Sequence, residues 1–233
     1  MFSTAARSYR QPGSTFPDVT PSPPAAVPAD YHPGRAGVGA GRDVALVAVF
    51  GALIVVLGLV PAIPVTSIGV EITLQTLGIM LAGLVLGPWR GVAAVSVYVG
   101  LGLAGLPVFA GGAGGLGVLA TPSLGYILGW FPGVLLTGIV AAVALRRRRG
   151  RLPLLLLAAF LGGMVVVYLL GWLFLVALFE VGPWAAFIAG VAVFVPLDAV
   201  KAVVAAFVAA SVHRAFPDVL ARRAAPAEPV ATT

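Results

Sequence analysis

Two side chains of opposite charge lie three residues apart in a strongly apolar part of the sequence. They are Asp198 and Lys201, and Lys201 is the only lysine of the chain. On an α-helix this spacing puts both side chains on one face, where they can neutralise each other or together bind a polar guest. An ionised group near the middle of a spanning helix costs roughly 2.5–3.5 kcal/mol, and groups retained at that cost are usually functional. We therefore expect a polar binding pocket here; a buried ion pair that only fixes helix packing is the alternative.

A proline lies just before this pair and should interrupt its helix. Pro196 has no backbone N–H and leaves a carbonyl group of the preceding turn without its donor. Inside a membrane such a freed carbonyl is tolerated where it lies in protein or beside a cavity. The proline therefore supports a pocket at this depth.

Polar groups also precede the second apolar stretch. The segment Glu71–Thr76 contains Thr73, Gln75 and Thr76 directly before a run of apolar residues. Their hydroxyl and amide groups can bind a ligand. They can equally cap a helix or form interhelical hydrogen bonds, which are worth about 0.6 kcal/mol on average.

A glycine-rich segment lies between the third and fourth apolar stretches. Residues 105–117 contain too many glycines for a stable helix. Its central glycines are Gly111, Gly112, Gly114 and Gly115. Their backbone N–H groups can converge on an anion, or the segment can be a flexible connector. Tyr126 follows soon after, either as an anchor at the membrane interface or as a pocket wall.

The chain as a whole is too apolar for a water-soluble globule. It is 60% hydrophobic and only 9% charged, whereas soluble proteins carry about 25% charged residues. Six continuous apolar segments predict spanning helices, because barrel strands would alternate apolar and polar residues. They cover roughly 43–60, 72–87, 89–105, 122–145, 152–179 and 184–212. The sequence therefore predicts an all-α membrane protein with six transmembrane helices and excludes an ordinary cytosolic enzyme.

The positive charges give the orientation of these helices. All thirteen arginines fall on one side of a six-span arrangement, and the connections around 61–71, 106–121 and 180–183 contain no Lys or Arg. The positive-inside rule then places both termini in the cytoplasm. The run Arg146–Arg149 is interpreted as a topology anchor beside anionic lipid, with a nucleic-acid or headgroup site as the alternative. The formal net charge of +6 has the same explanation, and we expect no nucleic acid partner.

Three regions follow from this arrangement. Residues 1–42 form a proline-rich cytoplasmic tail, which we expect to be disordered because its composition cannot bury enough apolar surface. Residues 43–215 form the six-helix membrane domain, and residues 216–233 form a cytoplasmic C-terminal tail. The predicted location is the cell membrane, crossed several times.

Several kinds of chemistry are disfavoured. The chain contains no cysteine, and His32 and His213 lie outside the six apolar segments. We therefore expect no metal site and no cofactor. A phosphate-binding Gly-x-x-x-x-Gly-Lys-Ser/Thr loop is also missing from the sequence, so the chain should not hydrolyse ATP itself.

Two small residues lie one helical turn apart in the first apolar segment. Ala48 and Ala52 would let another helix approach closely. From the residues alone, packing within the chain is favoured over contact with a partner.

In order and spacing, several segments resemble the BioY family. They are Ile72–Gly78, Gly105–Phe109, Gly111–Gly115, Pro122–Tyr126 and Pro196–Lys201. The resemblance covers about residues 43–215. BioY proteins are the biotin-binding S components of energy-coupling factor (ECF) transporters.

The resemblance implies the ECF S-component fold and capture of biotin from the outer face. It also implies partners, namely a transmembrane T component and two ABC-type ATPases that hydrolyse the ATP, so that the chain itself is not an enzyme. In S components a small-residue pattern on the first helix contacts the T component, and Ala48 and Ala52 match this pattern. Another vitamin S component, or a stand-alone carrier of a small organic anion, is the alternative.

The resemblance also assigns roles in the site. Asp198 would accept hydrogen bonds from the ureido N–H groups of biotin, and Lys201 would donate to the ureido carbonyl. The remaining expected contacts are Tyr126, Thr76, Gln75, Phe109, Gly111, Gly112, Gly114 and Gly115. Two positions depart from the family pattern, because some members carry a basic residue at the position of Ala113 and Glu71 stands where a neutral residue is expected. Both departures concern the biotin carboxylate.

Overall fold

The computed structural model describes residues 35–64, 69–147 and 150–217, which are mainly helical. In chain order, the helices are α1 Arg35–Gly58, α2 Gln75–Leu86, α3 Pro88–Leu103, α4 Leu124–Leu145, α5 Arg151–Leu178 and α6 Pro183–Ala215. Two short strands, β1 Ile63–Pro64 and β2 Glu71–Ile72, pair antiparallel between α1 and α2. The turns Ala110–Gly112 and Leu116–Ala120 lie between α3 and α4.

Four of these helices are long and apolar enough to cross a membrane. They contain the stretches Ala40–Gly58, Leu124–Leu145, Arg151–Leu178 and Pro183–Ala215. The helices α2 and α3 are shorter, with 12 and 16 residues, where about 20 residues span a hydrocarbon core. The predominantly helical fold is confirmed. The count of six spans and the cytoplasmic position of both termini stay predictions.

Glycine and proline set several helix boundaries. Gly87 has a φ of 81°, a conformation that favours glycine, and separates α2 from α3. Pro88 and Pro183 follow at the first turns of α3 and α6, where the missing proline N–H leaves no helical hydrogen bond unmade. Two Gly-Pro-Trp sequences therefore begin two helices, and Trp184 is 72% exposed.

The two longest helices are irregular near their middle. In α5 a π-helical segment, Leu161–Val166, joins Arg151–Phe160 to Val167–Leu178. In α6 the π-helical segment Ile188–Ala192 precedes the regular part Val195–Ala215. Pro196 lies in the first turn of that regular part. The predicted interruption is thus present, a few residues upstream of the proline.

The core forms around α4, which packs against α2, α3 and α5. Glycines and small residues bring these backbones together, as at Gly129, where an added Cβ would lie 3.0 Å from Val167 Cα. The helix α1 lies at the edge of the core, since only 11% of its apolar stretch is buried, against 50% for α4 and for α5.

The structure differs from the sequence expectations at three places. The helix α1 begins at Arg35, inside the segment predicted as a tail. It can extend N-terminally beyond its apolar part because no proline lies between Pro33 and the end of the helix. Ile72 belongs to a strand and α2 begins three residues later. His213 was expected outside the apolar helices but is buried at the end of α6, with Nε2 2.9 Å from the carbonyl oxygen of Leu84.

Some of the predictions concern residues that the structure does not describe. These residues are 1–34, which include His32, then Arg148 and Arg149, and 218–233.

Candidate ligand-binding site

A cavity of about 250 Å³ lies between the helices and the loop after α3. Its wall is mostly apolar and aromatic, and it contains a few polar side chains, as small-molecule sites do. The polar and charged side chains in the wall are Glu71, Thr73, Gln75, Thr76, Thr121, Ser123, Asp198 and Lys201. The aromatic ones are Phe109, Tyr126, Trp130, Tyr168 and Phe194.

Asp198 is held at this cavity by three donors from three helices. Its Oδ1 accepts hydrogen bonds from Thr76 Oγ1 at 3.1 Å and from Lys201 Nζ at 2.5 Å. Its Oδ2 accepts from the Tyr168 hydroxyl at 2.6 Å. The carboxylate is only 2% exposed, so these bonds replace the water it loses on burial. Each oxygen accepts up to two hydrogen bonds, which leaves Oδ2 capacity for a further donor.

Lys201 is equally buried and already uses its three N–H groups. Its ammonium donates to Asp198 Oδ1, to the backbone carbonyl of Thr73 at 2.6 Å and to Thr76 Oγ1 at 3.2 Å. An ammonium group has three donors and no acceptor. The pair therefore ties α6 to the start of α2 while a cavity lies beside it.

Gln75 fixes the loop that carries Phe109. Its side-chain nitrogen donates to the Tyr98 hydroxyl and to the carbonyl oxygen of Val108, which also accepts from Tyr98 at 2.9 Å. Thr73 Oγ1 donates to Gln75 Oε1 at 2.9 Å. The Phe109 ring packs edge-on against Tyr98, with centroids 5.6 Å apart. Gln75 lines the cavity, but its amide hydrogens bind protein acceptors.

Tyr126 forms part of the wall, and its hydroxyl anchors the irregular part of α6. The hydroxyl donates to the carbonyl oxygen of Gly190 at 2.7 Å, within the π-helical segment. Its ring faces Gly171, where a Cβ would collide with the ring. Tyr126 therefore lines the pocket.

In the described part of the chain, two buried side-chain polar atoms have no hydrogen-bond partner, and both belong to residues that line this cavity. One is Oε2 of Glu71, which abuts the loop: a Cβ on Gly111 would lie 3.3 Å from it. The other is Nε1 of Trp130, a side chain only 5% exposed. Buried polar atoms are rarely left unpaired in native structures, so each needs an explanation.

The structure brings together most of the residues predicted for the site. Asp198, Lys201, Tyr126, Thr76, Gln75 and Phe109 all line the cavity. The central part of the glycine-rich loop contributes Ala110 and Ala113 to the described wall. That wall does not include the predicted residues Gly111, Gly112, Gly114 and Gly115. The roles of all ten residues in ligand binding stay predictions.

Three aromatic residues of the site were missed by the sequence reasoning, and one of them, Phe194, directly precedes the regular part of α6. Tyr168 lies within α5 and Trp130 within α4, two apolar helices in which an aromatic residue gives no distinctive signal. The backbone carbonyl of Thr73 was missed as well, because backbone groups leave no trace in a sequence.

The fold is similar to that of S components. A crystal structure of the S-component for biotin from an ECF-type ABC transporter matches with a TM-score of 0.71 and 30% sequence identity, over 76% of this chain and 93% of that chain. The S component of a bacterial ECF transporter matches in fold, with a TM-score of 0.50 at 14% identity over 79% of this chain. The helical fold, with a largely apolar cavity that contains a few polar side chains, thus defines a class, the membrane-embedded S components.

The sequence comparisons identify the family within this class. The BioY family profile matches residues 32–218. The biotin transporter BioY of Rhodobacter capsulatus is 44% identical over 194 residues, which cover 78% of this chain and 98% of that protein. The BioY of Rhizobium etli is 41% identical over 184 residues, again 78% of this chain and 98% of that protein. The chain belongs to the BioY family. It is an integral membrane transport protein and not an enzyme, as predicted.

Proposed function

We propose that this chain is the biotin-binding S component of an ECF-type uptake transporter. The observation that carries the proposal is the buried pair Asp198–Lys201, which lines a cavity between the helices in a chain of the BioY family. Removing two charges from water is costly, and a cavity beside them gives a polar ligand access to both. The similarity to a solved biotin S component supports the same ligand.

Biotin matches the distribution of polar and apolar groups in the cavity. Its ureido N–H groups would donate to Asp198, whose Oδ2 can accept a further hydrogen bond. Its thiophane ring and aliphatic chain would lie against Phe109, Tyr126 and other apolar wall residues. Lys201 orients the carboxylate of Asp198 through its hydrogen bond. It donates to the ligand only if it releases an acceptor such as Thr76 Oγ1, the most distant of the three.

The biotin carboxylate would be bound by the glycine-rich loop. Gly111, Gly112 and Gly115 have φ between 65° and 80°, a backbone conformation that can turn successive N–H groups towards an anion. Gly114 approaches the carbonyl oxygen of Leu106 closely, which fixes the shape of the loop. We assign the carboxylate to these backbone donors, because Ala113 offers no charge and the hydroxyl of Thr76 already donates to Asp198.

The proposed transporter has six spans and cytoplasmic termini, with α2 and α3 as its short spans. The described connections on the arginine side include Arg90, Arg146 and Arg147, which supports this orientation. The T component would pack on α1 at Ala48 and Ala52, which are both exposed, and two ABC-type ATPases would supply the energy.

Equilibrium titration of the purified chain with labelled biotin tests the proposal. The parent should bind tightly and melt at a higher temperature with biotin. Asp198→Asn and Lys201→Ala should each weaken binding at least a hundredfold. Asp43→Asn, which changes an aspartate that is 48% exposed, should bind as the parent does. A parent chain that binds no biotin contradicts the proposal.

A double variant separates loss of the site from loss of the fold. Removing one member of a buried ion pair costs about 3–5 kcal/mol, whereas removing both charges together is often neutral. The variant Asp198→Asn/Lys201→Met should therefore melt close to the parent and still bind no biotin. If it binds biotin normally, the assigned site is wrong.

The second candidate is an S component for another vitamin. The unpartnered, partly buried Glu71 carboxylate at the cavity favours it, because a like charge disfavours a ligand carboxylate. Competition of unlabelled vitamins against labelled biotin decides between the two. A vitamin that displaces biotin at a lower concentration than biotin itself would favour this second function.

A further inference from the structure

We propose that the indole N–H of Trp130 donates a hydrogen bond to the carbonyl oxygen of the bound ligand, which is the ureido carbonyl if the ligand is biotin. The proposal rests on the biotin-binding function proposed above and adds a specificity-determining residue to it.

Trp130 has a buried indole N–H group without a hydrogen-bond partner among the described residues. Its side chain is 5% exposed and lines the cavity, and its Nε1 has no acceptor within residues 35–64, 69–147 and 150–217. Leaving a buried donor without a partner costs about 1–3 kcal/mol. A ligand that presents an acceptor oxygen here removes this cost on binding.

The donors next to Asp198 are already in use. The three N–H groups of Lys201 bind Thr73, Thr76 and Asp198. The hydroxyl groups of Tyr168 and Thr76 donate to Asp198. A ligand carbonyl that approaches Asp198 therefore meets acceptors and occupied donors, whereas the Trp130 N–H is available without breaking any bond.

Trp130 and Tyr168 follow the same contact between α4 and α5. The backbones of α4 and α5 touch where Gly129 faces Val167. The next residue on α4 is Trp130, and the next on α5 is Tyr168, whose hydroxyl binds Asp198. Both side chains line the cavity. Trp130 and the Tyr168 side chain that binds Asp198 therefore border the cavity from neighbouring turns of α4 and α5.

The chemistry of a cyclic urea fits an acceptor and a donor placed together. Each edge of its ring presents one N–H group beside the carbonyl oxygen. Asp198 would accept from the N–H group, and Trp130 would donate to the oxygen. The ligand is then recognised without breaking the Asp198–Lys201 pair. The buried indole N–H, which has no acceptor among the described residues, gains one from the ligand.

Equilibrium binding to Trp130→Phe tests this with two ligands. Phenylalanine keeps an aromatic ring beside Tyr98, whose ring centroid lies 5.8 Å from that of Trp130. We expect biotin to bind about tenfold more weakly, which corresponds to about 1.4 kcal/mol. At neutral pH iminobiotin carries a protonated guanidinium group, which has N–H donors and no acceptor in place of the carbonyl oxygen, so the substitution should weaken its binding by less than twofold. Equal losses for the two ligands, or no loss for biotin, would overturn the proposal.

The control is Trp184→Phe, which changes a tryptophan that is 72% exposed and should bind both ligands as the parent does. Melting temperatures without ligand show whether Trp130→Phe folds. If it does not fold, the parent protein still decides: its Trp130 indole N–H resonance, assigned as the one retained in the spectra of Trp89→Phe, Trp172→Phe and Trp184→Phe, should move downfield when biotin saturates the site. An unmoved resonance contradicts the proposal. A parent that binds no biotin instead refutes the proposed function, so the two failures are distinguishable.

Discussion

The two carboxylates that line the cavity, those of Asp198 and Glu71, differ in the number of hydrogen bonds they accept. Asp198 has three donors and is 2% exposed. Glu71 Oε2 has no donor among the described residues, and the carboxylate lies against the loop at Gly111. Because Asp198 is neutralised by Lys201, Glu71 contributes the uncompensated negative charge of the described cavity wall. A ligand with its own carboxylate therefore meets repulsion from Glu71.

Removing this charge should strengthen the binding of biotin. Glu71→Gln relieves a repulsion of about 1 kcal/mol, the order expected for partly screened charges at an effective dielectric constant near 20. We expect the biotin affinity to rise about fivefold by calorimetry and the affinity for the uncharged biotin methyl ester to stay the same. Glu180→Gln, at an exposed glutamate between α5 and α6, serves as the control. An equal gain for the ester would show that charge is not the cause.

Single residues also show where sequence reasoning succeeds and where it fails. Asp198 and Lys201 are predictable because a charge in an apolar helix is costly and therefore conspicuous. Tyr168 and Trp130 are not, because aromatic side chains are ordinary in such helices. Only the contact of α4 with α5 shows that these two face the same cavity.

At the scale of elements, the cavity depends on helices that are irregular where they border it. The π-helical segment Ile188–Ala192 exposes the carbonyl of Gly190 to the Tyr126 hydroxyl. Periodicity predicts that a helix exists but not a π turn, because this stretch is apolar on every face and the rotation caused by one extra residue leaves no mark in its sequence. The helix positions were therefore predictable to within a few residues, except for the extension of α1 to Arg35, whereas these irregularities were not.

The contact between α4 and α5 at Tyr126 should not tolerate a methyl group. In Gly171→Ala, the new Cβ would collide with the Tyr126 ring, and such overpacking costs about 1–3 kcal/mol. We expect a melting temperature several degrees lower and a weaker affinity for biotin, because the ring is a wall of the cavity. The melting temperature and the affinity can both be obtained from thermal unfolding measured at increasing biotin concentrations.

A matched substitution separates this clash from a general effect of alanine. Gly100 also lies in a helix, but nothing stands within 4 Å of its added Cβ. Gly100→Ala should keep or slightly raise the melting temperature, since alanine favours helix by up to about 1 kcal/mol. If both variants lose stability equally, packing on Tyr126 is not the reason.

At the scale of the whole molecule, the predicted orientation can be tested because the chain contains no cysteine. Leu116 is 70% exposed in the loop after α3, and Arg147 is exposed on the arginine side. A membrane-impermeant thiol reagent should label Leu116→Cys in intact cells and Arg147→Cys only after permeabilisation. Labelling of both from outside would contradict the six-span arrangement.

The edge position of α1 leaves a helix face available to another membrane protein. Ala48 and Ala52 are exposed one turn apart, and in the described cavity wall neither side chain takes part. Small residues let helix backbones approach closely in a membrane, where association depends on packing rather than on exclusion of water. A larger side chain at this face should therefore block a partner without changing the ligand site.

The variant Ala48→Leu/Ala52→Leu tests this separation of binding from assembly. We expect its biotin affinity and melting temperature in detergent to match the parent, because the added methylenes point away from the core. Its co-purification with a co-expressed T component and ATPases should fall at least tenfold, and biotin uptake by cells should fall with it. Ala199→Leu adds the same bulk at an exposed alanine of α6 and should assemble normally. Normal assembly of the double variant would place the docking surface elsewhere, whereas loss of biotin binding would mean that α1 supports the cavity.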